Sequence, residues 1–255
     1  MYNGTKGGMT VKIKSIFKRY ELKYLISRDM AEKLLAVVKE HASPDEYGET
    51  VINNIYYDTD TNRLIRNSIE KPTVYKEKLR LRCYGTPADD SPAFIELKKK
   101  YDSVVYKRRL KLTYREAVEA LKTGNLPDNQ IGREIEYFLR FYETLSPKMI
   151  ITYSRQAFFD GEFRITFDTD IKYRRTDLDL RLGSYGESVT DMVVMELKSE
   201  RAIPFWMLEQ LRKYKIYKTA FSKYGTAYSQ SFETRKSDWD LSSLNKGEMK
   251  NGKHF

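Results

Sequence analysis

The sequence predicts an α+β protein built on an eight-stranded antiparallel β-barrel, a tunnel with its helices packed outside. Three observations point there. Segments in which apolar and polar residues alternate outnumber those of helical period. Most of them follow one another with only short breaks, as strands of an antiparallel sheet do. Most also carry one charged and one apolar face. Eight strands are about the number at which a sheet closes around side chains or one small ligand.

Taken in order, residues 1–14 and 237–255 are polar, Gly- or Ser-bearing and without periodicity, so both ends are expected to be disordered, leaving one domain over 15–236. Strand 15–24 contains "RYELKY", with Arg19, Glu21 and Lys23 on one face. A helix over 28–41 follows, with Ser27 as its N-cap. Strands come next at 51–58 and 73–84; in the latter, "KLRLRCYG" sets Lys78, Arg80 and Arg82 against Leu79, Leu81 and Cys83. Strand 92–100 sets Glu96, Lys98 and Lys100 against Ile95 and Leu97, and strand 103–113 sets Lys107, Arg109 and Lys111 against Leu110 and Leu112. A helix over 114–122 stops at Gly124, as a C-terminal glycine directs. Another over 131–144 carries Ile131, Ile135, Phe138, Leu139 and Tyr142 on one stripe. Three strands follow: 149–159 with Arg155; 162–172 with Arg164, Thr166 and Asp168 opposite Ile165 and Phe167; and 191–199 with Glu196 and Lys198 opposite Met195 and Leu197. A helix over 204–215 is opened by Pro204, and 221–232 reads as a further short helix.

Composition narrows the function. The chain has 255 residues, 40% of them hydrophobic, and no run approaches the ~18 apolar residues that span a bilayer. The first residues lack the apolar core of a secretory signal, so a cytoplasmic location is expected. Cys83 is the only cysteine, which rules out an internal disulfide. With His41 and His254 as the only histidines, a metal would have to be held by carboxylates, which favours Mg²⁺ or Mn²⁺ over zinc. The net charge of +10 argues for an anionic partner.

The placement of charge is more specific than its total. Like charges side by side on a sheet repel, so recurrent Lys and Arg on one face need something to compensate them, and a polyanion would do so. If the sheet closes with its apolar faces under the helices, the basic faces line a lumen. There a charge pair at 4 Å is worth ~4 kcal/mol at an effective dielectric of 20, against ~1 kcal/mol in water. Glu21, Glu96, Asp168 and Glu196 make little sense as anion binders. They fit as ligands for a divalent cation carried on phosphates.

The strand-wise "ExK" pairs with "RLRCYG", "IELKKK", "YKRR", "TYSRQAF", "RITFDT", "MELKS" and "FSKYG" together resemble the polyphosphate polymerase domain of the vacuolar transporter chaperone, a member of the triphosphate tunnel metalloenzymes. The resemblance runs from about residue 15 to 228. It implies an eight-stranded tunnel that holds a phosphate chain, with a divalent metal on Glu196. It also implies that Arg80, Arg82, Lys98, Arg155, Arg164 and Lys198 act at the reacting phosphates, and that Lys23, Lys107, Ser222 and Lys223 bind along the chain. Either Lys107 or Arg108 could match in "YKRR"; strand parity with Leu110 and Leu112 favours Lys107. Hydrolases of the superfamily commonly begin with ExExK, whereas Arg19 stands in the first position here. One carboxylate fewer favours phosphoryl transfer over hydrolysis.

The activity implied is a metal- and ATP-dependent polyphosphate polymerase moving the γ-phosphoryl group onto a growing chain. The alternatives are a triphosphatase or polyphosphatase using the same grip, and a non-catalytic receptor for polyphosphate or inositol phosphates. Nucleic-acid binding fits less well, because the tyrosines fall on both strand parities and the glutamates would repel a phosphodiester backbone.

Overall fold

The structure is a computed structural model that describes residues 20–69, 74–101 and 104–232. Nine strands form one antiparallel sheet: β1 (Tyr20–Ile26), β2 (Ser43–Asp58), β3 (Tyr75–Tyr84), β4 (Pro92–Tyr101), β5 (Val104–Thr113), β6 (Ser146–Asp160), β7 (Phe163–Arg174), β8 (Glu187–Thr190) and β9 (Val193–Ser199). Eight of them lie along the path β1-β9-β7-β6-β2-β3-β4-β5, and β8 pairs with β7 off that path. The eight-strand expectation thus describes the main path, with β8 added. The expected disordered ends, 1–14 and 237–255, lie outside the described residues, as do 15–19 of the first expected strand.

The sheet curls into a tunnel without hydrogen-bonded closure. β1 and β5 are its two ends, and among the described residues no ladder joins them. The free edge of β1 is covered instead by the segment around Lys218, where the Thr219 amide donates to the Lys23 carbonyl at 2.7 Å. Side chains bridge the gap inside: Lys98 on β4 reaches to 3.9 Å from Glu21 on β1.

Outward residues of the strands bury themselves under helices. Leu79, Leu81, Ile95, Leu97 and Leu110 form one cluster with α3 (Tyr114–Thr123) and α4 (Gln130–Tyr142). Ile165, Phe167, Met195 and Leu197 form another with α1 (Arg28–His41) and α5 (Phe205–Lys213). The local signals place these helices well. Ser27 caps α1 by accepting from the Met30 amide, and Thr113 with Glu116 makes a capping box on α3, whose end at Gly124 has φ 79°.

Two helices depart from the sequence reading. α2 (Arg63–Ile69) was not foreseen; its first amides are met by Asp58, which accepts from Leu64 and Ile65. α6, over 223–232, does not lie on the outside. Tyr224 and Ala227 pack with Ile151, Tyr153, Val194 and Tyr56, inward residues of the strands, and Tyr224 stacks on Tyr56 with ring centres 4.3 Å apart. α6 therefore stops one end of the tunnel.

Candidate active site

Strand alternation and register assemble the site. Pairing of β3 with β4 and of β4 with β5 places Arg80, Glu96 and Arg109 side by side, with Lys78, Lys98 and Lys107 in the next inward row. Pairing of β1 with β9 sets Glu21 opposite Lys198 and Lys23 opposite Glu196. A cavity of about 550 Å³ results. Eleven basic side chains line it against four carboxylates, Glu21, Asp45, Glu96 and Glu196.

Every phosphate-binding residue expected from the sequence lines this one lumen: Lys23, Arg80, Arg82, Lys98, Lys107, Arg155, Arg164, Lys198, Ser222 and Lys223. Parity resolves the "YKRR" ambiguity as expected, since Lys107 faces inward while Arg108 donates outward to Glu134 of α4 at 2.7 Å. Lys78, Arg109, Tyr56 and Tyr153 line the lumen too, although the resemblance assigned them nothing. Lys78 and Arg109 were visible on the basic faces; the two tyrosines gave no sequence signal separating them from the other eighteen.

The four carboxylates singled out for metal have different surroundings. Glu96, 1% exposed, is enclosed by cations. Arg80 donates to Oε2 from Nε at 2.8 Å and Nη2 at 2.6 Å, while Lys107 and Arg109 approach Oε1 at 2.7 and 2.9 Å. Burial alone would raise its pKa, but Arg80, Arg82 and Lys107 outweigh that and hold it far below the usual carboxylate range. Asp168 is fully buried, accepting from Arg155 Nε and Nη2 at 2.5 and 2.7 Å and from Lys223 at 2.5 Å. Burial is again outweighed, by Lys223 and Arg155, and its pKa is lowered. Both carboxylates brace arginines, and their oxygens are occupied.

Glu196 and Glu21 are looser. Glu196 meets Lys198 at 2.9 Å and Lys23 at 3.4 Å; Glu21 meets Lys23, Lys198 and Lys98 only at 3.5 to 3.9 Å. Despite burial, Lys198 and Lys23 hold Glu196 well below its ordinary pKa, so it is ionised at neutral pH. Among the described residues no group of three or more His, Cys, Asp and Glu is placed to hold a metal. One or two carboxylates completed by phosphate oxygens is nevertheless a usual donor set for Mg²⁺, and Glu196 with Glu21 fits it.

At the α6 end the chemistry changes. Burial pushes the Lys78 ammonium down to about 8, and Lys23, Lys98 and Arg80 add to this. Lys78 donates to the Ser222 hydroxyl at 3.2 Å, and Ser222 also accepts from the Gly225 amide at the start of α6. Tyr56, whose hydroxyl accepts from Arg80 at 3.1 Å, is lowered to about 8 because Arg80 and Lys78 outweigh its burial. Cys83 lies outside, in the apolar cluster, its thiol pushed up to about 12 by burial, which excludes it as a nucleophile at neutral pH.

An antiparallel sheet curled around a cation-lined lumen of this kind is the architecture of the triphosphate tunnel metalloenzymes. The chain belongs to the VTC domain family, whose model matches residues 18–232. Among solved structures it is similar to a candidate adenylate cyclase from Bacillus halodurans, 17% identical, with a TM-score of 0.52 over 79% of this chain and 92% of that one. A candidate adenylyl cyclase from Hippeastrum, described as having a dominant triphosphatase activity, is 12% identical with a TM-score of 0.52, over 82% of this chain and 95% of that one. These likenesses concern the fold. No curated protein matches the chain. Among the described residues no helix is long and apolar enough to cross a membrane.

Proposed function

We propose that the protein is a nucleotide-dependent polyphosphate polymerase, transferring the γ-phosphoryl group of ATP to the end of a phosphate chain within the tunnel. The observation that carries this reading is the enclosed row of braced guanidinium groups. Arg80 and Arg155 are each held by a buried carboxylate, Glu96 or Asp168, and so are fixed before any ligand arrives. Phosphoryl transfer asks a protein mainly for alignment and for positive charge around the equatorial oxygens. Arg80, Arg82, Arg155 and Arg164 supply bidentate donors, while Lys98, Lys107, Lys198 and Lys223 serve as point charges along the chain. Glu196, supported by Glu21, would hold Mn²⁺ or Mg²⁺, which would supply positive charge to the phosphates. Glu96 and Asp168 act as positioning residues.

The second reading is hydrolysis, favoured by the triphosphatase activity described for the Hippeastrum protein of similar fold. Against it, the two most deeply buried carboxylates, Glu96 and Asp168, are committed to arginine and lysine partners and cannot take a proton from water. Incubation of the protein with ATP and Mn²⁺ or Mg²⁺, with products sized on a gel, separates the two. Long chains that vanish in Arg80→Ala and Glu196→Ala support the polymerase. Orthophosphate alone supports the hydrolase, and tight polyphosphate binding without turnover supports a receptor.

A further inference from the structure

At the opposite end of β3 from α6, the lumen ends in aromatic rings. Lys78 touches Ser222, the residue that precedes α6, and Tyr84 lies six residues further along the strand, roughly 20 Å away at the usual rise. Tyr84 lines the cavity, yet is 47% exposed. Its ring is held from two sides: Arg109 donates to its hydroxyl at 2.7 Å, and Phe94 meets it edge-on with ring centres 5.8 Å apart. Arg109 itself lies 4.0 Å over the Phe94 ring. Tyr47, 72% exposed, lines the same mouth from the start of β2. Beside it Asp45 stands 3.9 Å from Arg164. The mouth is thus a fixed aromatic face, a second ring on the irregular stretch of β2 between Pro44 and Glu49, and the Asp45 carboxylate. A phosphate chain has no use for these groups. A planar base stacks on such rings, and a carboxylate suits ribose hydroxyls or an exocyclic amine.

We propose that this mouth is a nucleoside subsite, in which Tyr84 and Tyr47 stack the base of a nucleoside triphosphate while its phosphates point inward toward Arg82 and Arg80. The proposal rests on the nucleotide-dependent reading given above. It gives the tunnel a direction, with nucleotide entering past Tyr84 and the reacting phosphates lying between that mouth and α6.

The test compares the binding of ATP, ribose 5-triphosphate and inorganic tripolyphosphate by titration calorimetry with the full chain. ATP should bind about tenfold more tightly than ribose 5-triphosphate, the scale of one base stacked on an aromatic ring. In Tyr84→Ala that ratio should fall toward one whatever happens to the affinity for tripolyphosphate, and Tyr84→Trp should keep it. Tyr47→Ala, at an exposed position on the irregular stretch of β2, should reduce the ratio in part. A ratio near one in the unaltered protein, or a ratio unmoved by both alanine variants, overturns the subsite while leaving the phosphate tunnel intact. If none of the three compounds binds, the phosphate reading falls, and the subsite with it.

Discussion

Glu96→Gln tests whether the tunnel is braced from within. The side chain keeps its size, but four cations lose their shared counter-charge. Arg80 and Arg82 are the deep ones, with side chains 23% and 8% exposed; Lys107 and Arg109 are partly in water and can turn outward. Removing one partner from a buried ionic cluster costs about 3 to 5 kcal/mol. Because two of the four cations are screened, the lower end applies, about 3 kcal/mol. For a domain of this size that lowers the melting temperature by roughly 10 °C. Thermal unfolding followed by circular dichroism reads it directly. Tripolyphosphate should restore more melting temperature to Glu96→Gln than it adds to the unaltered protein, because it supplies the missing negative charge to released cations. If Glu96 served as a metal ligand in place of a brace, the metal-free variant would melt with the parent and lose only metal-dependent activity. An unchanged melting temperature without ligand therefore refutes the brace.

Four further outcomes are expected. Lys78 and Tyr56 both titrate near pH 8, Lys78 losing its positive charge and Tyr56 gaining a negative one, so ATP affinity should fall between pH 7 and 9; Lys78→Arg should flatten the profile in part in calorimetric titrations, and Lys78→Arg with Tyr56→Phe should flatten it further. Glu96, Asp168 and Glu196 all have folded pKa values below their unfolded ones. Their stabilisation is complete above the unfolded values near ~4 and is lost as pH falls toward the folded ones, so melting temperature should drop below about pH 4, and less steeply in Glu96→Gln. Glu196→Gln should weaken Mn²⁺ binding in the presence of tripolyphosphate roughly tenfold or more, as read by electron paramagnetic resonance. Lys107→Ala should cost roughly tenfold in tripolyphosphate affinity, whereas Arg108→Ala, whose partner is Glu134 outside the tunnel, should leave it unchanged.

Much of this site was legible because strand parity is local. Leu79 and Leu81 must face the helices, so Lys78, Arg80 and Arg82 must face the lumen, and the same logic separates Lys107 from Arg108. Helix ends were legible for the same reason, since Ser27 and Gly124 act on their own neighbours. Register is not local. Nothing within "FIELKKK" says that Glu96 will stand between Arg80 of one neighbour and Arg109 of the other, or that Asp168 will meet Arg155, and so their bracing role was hidden while their acidity was plain. α6 escaped for a similar reason: its apolar residues read equally well as a helix lying on the barrel, and only the stacking of Tyr224 on Tyr56 shows that it sits in the end. The short α2 and β8 lack enough residues to show a period.

The distribution of carboxylates explains how one tunnel can hold eleven cations. Glu96 and Asp168 sit beneath the arginines and cannot be displaced without burying unpaired charge, so they fix geometry permanently. Glu21 and Glu196 lie further from most of their lysines, and those pairs can open when phosphate enters. The lysines then exchange a weak partner for a strong one, and the two glutamates are released in the place where a cation on the phosphates would need oxygen donors. Positive charge still exceeds what these four carboxylates neutralise. A single triphosphate would not exhaust the remainder, which leaves room for a second phosphate group in the same lumen. A hydrolase of single triphosphates has no need of that capacity; an enzyme that holds a donor triphosphate and the end of an acceptor chain together, as proposed above, does.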